Sequence, residues 1–226
     1  MNIDLKVLTG QTDENICWIE NPKIGVHKEV LTSLQKLQIA SQQAGFHLAI
    51  CSGFRSFESQ LLIWNAKASG KRSVLDSQSR PVDVSQLSLD QLMYAILRWS
   101  AFPGLSRHHW GTDFDVFDLK AMPQGYQLKL TSDEFEGAGY FAPMHDWLDQ
   151  NLSRFGFFRP YAEDLGGVSP ERWHISYNPI AEKYQAALTL DKIRKIISNT
   201  SMMLKSQVEK ELPQIYERFF TRVSKS

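Results

Sequence analysis

Two short segments of this 226-residue chain hold the residues that could do chemistry: SRHHWGTDFDVFD (Ser106–Asp118) and ERWHISY (Glu171–Tyr177). Together they offer His108, Asp115 and His174 as metal ligands, with Glu171 three residues before the last. Structural zinc is usually closed by four ligands, mostly Cys, whereas catalytic zinc keeps three protein ligands and an open position. A set of two imidazoles and one carboxylate fits the second kind. A carboxylate on the same local element as a ligand His can take the proton from a zinc-bound water. The pattern predicts a zinc-dependent hydrolase with Zn2+ as its cofactor.

These side chains can meet only if the elements carrying them bring them together. The spacing His108-x6-Asp115 puts the first ligand before a turn at Gly111, whose backbone freedom suits it, and the second on a strand beyond. Thr112–Phe117 has strand character, so Asp113 and Asp115 share one face and Phe114 and Val116 the other. His109, next to His108, is expected to point away from the metal. Asp113 could orient a ligand imidazole from behind or simply hydrogen-bond nearby backbone. The Glu171-x-x-His174 spacing is common by itself and gains weight only from the first segment. A third polar turn, SGFRS (Ser52–Ser56), follows a short apolar run, HLAIC. Its Arg55 could be a surface ion-pair partner, or its planar fork could meet a carboxylate or a developing oxyanion.

The motifs as a set resemble the D-alanyl-D-alanine carboxypeptidase (VanY-type) zinc peptidases. SRHHWGTDFD is similar to that family's S-x-H-x-x-G-x-(A/D)-x-D signature, ERWHISY to its E-x-W-H-x-x-Y segment, and SGFRSFESQ to its SG(Y/F)RS-x-x-x-Q turn. Pro103-Gly104 and FGFFRPY (Phe155–Tyr161) supply matching context, and the likeness runs from about Lys28 to Pro179. The resemblance implies that His108, Asp115 and His174 ligate zinc and that Glu171 is the catalytic acid and base. It implies that Arg55 stabilises the oxyanion or holds a substrate carbonyl, and that Ser106 and Gln60 line the substrate site. Asp113 departs from the commoner Ala. The implied fold is α+β, a small antiparallel sheet flanked by helices in the Hedgehog/D,D-peptidase-like manner. The implied substrate is a peptidoglycan stem peptide or muropeptide losing a terminal D-alanine by D,D- or L,D-cleavage. A lysin-like endopeptidase and a zinc-containing binding module without activity are the alternatives.

Composition agrees with one enzyme domain and excludes several classes. Lys+Arg and Asp+Glu are equal at 25 each, so no polyanion partner such as nucleic acid is indicated. No stretch is long and apolar enough to span a bilayer. The start MNIDLKVLTGQTDEN lacks the marks of a secretory signal, so a bacterial cytoplasmic setting is the default, with periplasmic action left open. Two cysteines, Cys17 and Cys51, are expected to be free thiols, although one disulfide between them is an alternative.

Residues 1–27 read as an irregular arm. Helices are predicted over Lys28–Ala44, Phe57–Ala68, Ser88–Ala101 and Met144–Phe155, the third opened by a capping box of Ser88 and Gln91. Strands are predicted at His47–Cys51, Thr112–Phe117 and Trp173–Tyr177, and a loop over Gly70–Leu87. The catalytic domain is expected to span 1–188, and 189–226 to be a helical C-terminal extension. Its stripe of Ile193, Ile197, Leu204, Val208, Leu212, Ile215, Phe219 and Val223 suits two helices, with a new N-cap at Asn199–Ser201 and, at Pro213, either a kink in the second helix or the start of a new one. A stripe this apolar must be covered, by the catalytic domain or by a second subunit in a homodimer.

Overall fold

Apolar periodicity sets the elements, and the computed structural model, which describes residues 3–224, arranges them as an α+β fold. In order they are α1 (Leu5–Leu8), β1 (Ile16–Ile19), β2 (Ile24–His27), α2 (Leu31–Gln43), β3 (Leu48–Ser52), α3 (Phe57–Ala68) and α4 (Leu89–Leu97). There follow β4 (Asp113–Asp118), α5 (Ser132–Phe135), α6 (Ala142–Asn151), β5 (Phe157–Phe158), β6 (His174–Tyr177), α7 (Asn178–Ala187), α8 (Leu190–Ser198) and α9 (Lys205–Tyr216). The main sheet is antiparallel with strand order β3-β4-β6-β5, and β1 and β2 form a separate hairpin.

Alternation along β4 divides the molecule. Phe114 and Val116 turn to a core shared with Leu34 and Leu37 of α2, Leu48 and Ile50 of β3, and Met144 and Leu148 of α6. Asp113 and Asp115 turn to the other face. There a second core gathers α1, α3, α4, α7, α8 and α9 around Leu8, Trp64, Met93 and Trp110. The polar face of the sheet therefore looks away from the first core, and Phe117, further along that face, joins a third cluster with Phe135, Phe141 and Trp173.

Several local signals act as read. The Ser88–Gln91 capping box forms in full and starts α4. Gly45 ends α2 with φ of 93°, and Ser56 caps α3 by accepting from the Ser59 N–H. The cysteines are free thiols.

Other expectations fail for physical reasons. Residues 3–27 are not an irregular arm, residues 1–2 of that expectation lying outside the described residues: Asp4 caps α1, and ICWI and IGVH pair across a turn as β1 and β2. Each strand is only four residues long, too short to show alternation against its flanks. Asn199–Ser201 does not cap α9. Asn199 Nδ2 and Thr200 Oγ1 bond back to the Lys195 and Ile196 carbonyls and so finish α8. Helix α9 begins at Lys205 after Leu204, which adopts φ of 61°. Pro213 opens no new helix: α9 continues through it to Tyr216 and widens into a π turn over Glu217–Thr221. Leu212 and Ile215 on either side of it are buried, and that packing outweighs the missing N–H bond.

Candidate active site and metal centre

Register brings the candidate ligands together. Asp115 on β4 lies directly across from His174 on β6, and Asp113 lies across from Ser176. Directly opposed residues on adjacent antiparallel strands have Cβ atoms roughly 4.5–5.5 Å apart, so their side chains touch on one face. On the other side of β4, β3 pairs Ile50 with Val116 and Ser52 with Asp115, leaving Cys51 as the extra residue of a bulge. That bulge re-aims the end of β3, so the SGFRS turn leaves the sheet beside Asp115.

His108 comes from a 3-10 turn, Arg107–Trp110, just before β4. Gly111 reverses the chain there with φ of 65°, and a Cβ on it would lie 2.5 Å from Ile16 Cδ1. His108 Nδ1 donates to the Gly53 carbonyl at 3.0 Å, which turns Nε2 toward Asp115 Oδ2 at 3.5 Å. His174 Nε2 donates to Asp113 Oδ1 at 3.0 Å, which turns Nδ1 toward Asp115 Oδ1 at 3.1 Å. Each imidazole is thus gripped by its far nitrogen and presents the near one, the arrangement ligand histidines use. One ligand atom from each of His108, Asp115 and His174 falls within 4.8 Å of the others.

Charge in this cluster suits a cation. Burial drives the His108 imidazolium down to about 4, so the ring is neutral and can ligate. Burial also opposes ionisation of Asp115, but His108 and the His174 hydrogen bond outweigh it and hold the carboxyl at about 2. Burial disfavours the His174 imidazolium as well, yet hydrogen bonds to Asp113 and Asp115 raise it to about 9. Positive charge at His174 Nδ1 is therefore stabilised, and a metal ion would take the proton's place there. The donor set of two nitrogens and one oxygen, preoriented and buried, fits zinc.

Asp113 is held in turn. Arg107 Nε donates to it at 2.8 Å and Thr112 Oγ1 at 2.6 Å, both within the buried interior. Arg107 also donates to Ser176 Oγ and to Gln185 Oε1, each at 2.8 Å. Of the two readings of Asp113, orienting an imidazole, that of His174, is the one its contacts match. His109 points away: Nδ1 donates to the Arg55 carbonyl at 2.7 Å, and Nε2 accepts from the Gly104 N–H at 3.0 Å.

A cavity of about 550 Å³ opens onto the cluster, lined by Arg55, Ser106, His108, Asp115, Glu171 and His174 among others. The turn before β6 is closed by the His174 N–H donating to the Glu171 carbonyl, which lays Glu171 Oε2 3.7 Å from His174 Nδ1. Burial, with Asp115 adding repulsion, lifts Glu171 to about 8. Arg55 is fixed by its backbone N–H on the His108 carbonyl at 3.0 Å, and by Nη1 on Gln60 Oε1 and Nη2 on Ser52 Oγ at 2.9 Å. Ser106 reaches the cavity wall. Gln60 does not: it is wholly buried, with Oε1 on Arg55 and Nε2 donating to the Ala101 carbonyl at 2.6 Å. A glutamine behind the wall positions the arginine rather than lining the site.

Sequence reasoning passed over two residues of this wall, Lys67 and Tyr161. Tyr161 lies at the end of FGFFRPY with its ring 5.0 Å from that of His174, and burial pushes its hydroxyl well above the usual range. Lys67 had a readable signal, a cation on the buried stripe Phe57, Gln60, Trp64, Lys67 of α3.

Comparison with known proteins decides the family. The sequence profile of VanY, D-alanyl-D-alanine carboxypeptidase, matches residues 23–180, more than half of the chain. The chain belongs to the VanY D-alanyl-D-alanine carboxypeptidase family. A D-alanyl-D-alanine carboxypeptidase of Enterococcus faecalis is 27% identical over 147 residues, covering 64% of this chain and 45% of that protein. The chain thus spans less than half the length of that relative. Two solved structures share the fold. One is a variant of the vancomycin-resistance D,D-pentapeptidase VanY in complex with Zn(II), at 23% identity and TM-score 0.52 over 85% of this chain and 88% of that one. The other is VanYB in complex with D-alanine-D-alanine, at 24% identity and TM-score 0.55 over 84% of this chain and 92% of that one.

Proposed function

We propose that this protein is a zinc-dependent carboxypeptidase that hydrolyses the terminal D-alanine of peptidoglycan stem peptides. One observation carries the reading: a buried carboxyl, Glu171, stands in contact distance of the ligand-presenting nitrogen of His174 inside a cavity that can hold a peptide end. The Zn(II) and D-alanine-D-alanine bound by the two VanY structures add support from proteins of the same fold.

His108 Nε2, an Asp115 oxygen and His174 Nδ1 would hold the zinc, which when bound acidifies a water and polarises the scissile carbonyl. Asp113 and the Gly53 carbonyl keep the two imidazoles aimed. Glu171 accepts the proton of the attacking water and returns it to the leaving amine. A carboxyl lifted toward neutrality by burial suits both halves of that exchange, since catalysis is best near the working pH. Arg55 has no carboxylate in ion-pair contact among the described residues and turns spare N–H groups to the cavity, where a developing oxyanion can meet them. Tyr161, kept protonated by its burial, adds a hydroxyl donor beside His174.

Incubation of zinc-loaded protein with pentapeptide and tetrapeptide muropeptides, read by mass, tests the reading. Loss of one D-alanine from the pentapeptide is the expected result, and loss from the tetrapeptide would make the enzyme L,D-specific. Glu171→Gln should slow release by about 10²–10⁴-fold. Larger fragments would favour the endopeptidase, and no product at all would refute the enzyme.

A further inference from the structure

Helix α3 forms one wall of the cavity and gives it Ile63 and Lys67, which stand one turn apart on the same helical face. Lys67 is only 8% exposed. Among the described residues no carboxylate lies in ion-pair contact with its ammonium, and Glu171 acts on it only through the field across the cavity. A buried ammonium without a partner is expensive, and natural proteins pair such charges or use them. This one has an opening in front of it, which leaves a ligand as the source of the missing negative charge.

The position of that charge follows from Glu171. In the hydrolysis proposed above, on which this inference rests, Glu171 hands its proton to the amine of the departing residue. A cation that shares Glu171's surroundings therefore lies on the leaving side of the scissile bond. The carboxylate of a terminal amino acid is separated from its own amine by a single carbon. Arg55 is tied elsewhere, by its backbone to the His108 carbonyl and by its guanidinium to Gln60 and Ser52. Two cations on different elements can thus serve two negative centres, the oxyanion and the terminal carboxylate.

We propose that Lys67 is the specificity-determining cation that binds the free C-terminal carboxylate of the substrate, restricting this site to the chain end. Ile63, one turn away, gives that subsite an apolar side suited to a small side chain such as methyl. An ammonium is a compact point charge with three donors, which suits a carboxylate approaching end-on.

Titration calorimetry on the zinc-loaded 226-residue Glu171→Gln protein, which should turn the probe over too slowly to disturb a titration, tests the subsite. The probes are D-alanyl-D-alanine and its C-terminal amide. A buried hydrogen bond between charged groups should make the free acid bind about 10–100-fold more tightly than the amide. Adding Lys67→Met should abolish that preference and leave amide binding nearly unchanged, while Lys67→Arg should keep most of it. If Lys67 acted only through packing, acid and amide would weaken together, and if it acted only through the charge of Glu171, already absent in this background, the preference for the acid would survive Lys67→Met; the proposal would fail in either case. It would fail equally if the parent showed no preference for the acid. Binding is read here rather than turnover. A lack of muropeptide cleavage therefore counts against the peptidase, whereas a preference surviving Lys67→Met counts against this subsite.

Discussion

Glu171 and Lys67 face one cavity, and burial moves them in opposite directions to the same place, each to about 8. Burial penalises charge whichever its sign, so a carboxyl rises and an ammonium falls. For Lys67 the shift has a consequence for stability. Below pH 8 the ammonium is charged in both the folded and the unfolded chain, and the folded chain bears the full desolvation cost. Above pH 10.5 it is neutral in both and the cost vanishes. Between the two, the unfolded chain binds more protons, so this residue makes folding more favourable as pH rises. Lys67→Met should therefore be more stable than wild type at pH 7, with a gap that closes between about pH 8 and pH 10.5. Melting temperatures measured across that range check it, and a gap independent of pH would show that the ammonium is already solvated.

At the scale of elements, the SGFRS turn is anchored both on strand β2 and on the turn that carries His108. Phe54 donates its N–H to the Gly25 carbonyl at 2.8 Å, and the neighbouring Gly53 carbonyl receives His108 Nδ1. A Cβ at Gly53 would come within 2.5 Å of that same Gly25 oxygen and 2.8 Å of Ile24 Cγ2, so the turn must shift. Gly53→Ala should loosen His108 and lower zinc affinity by about 10–100-fold, the usual effect of losing a ligand's supporting contact. Competition with a chromophoric chelator would measure this, and unchanged affinity would show that the Gly53 carbonyl does not matter. The convergence of His108, Asp115 and His174 was legible because strand alternation and a glycine turn are local rules. The hairpin of β1 and β2 that backs Gly53 was not, since four-residue strands depend on partners far along the chain. Gln60 was misplaced for a similar reason: sequence puts it one turn from Arg55, but only packing shows that it faces inward.

At the scale of the whole molecule, the helices after Leu188 are part of the second core. Ile193, Ile197, Val208, Leu212, Ile215, Phe219 and Phe220 pack with Val7, Leu8, Trp64, Leu92 and Trp110. Their two-helix character was readable from the spacing, whereas their surroundings were not, because periodicity identifies an apolar face but not what covers it. Gln185 links this region to the site, receiving Arg107 Nη1 and donating to the Phe220 carbonyl at 3.2 Å. Each buried side chain of this kind is worth about 1.5–3 kcal/mol, against a net stability of about 5–15 kcal/mol for a typical domain. Truncation after Leu188 should therefore aggregate or melt at a distinctly lower temperature, and an equally stable, fully active truncation would contradict this view of the segment. The proposed hydrolysis depends on the metal centre. Its most direct test is the zinc content of wild type, Glu171→Gln and His174→Ala after purification and dialysis. One zinc per chain in the first two with strong loss in the third is the predicted result, and full occupancy in His174→Ala would contradict it.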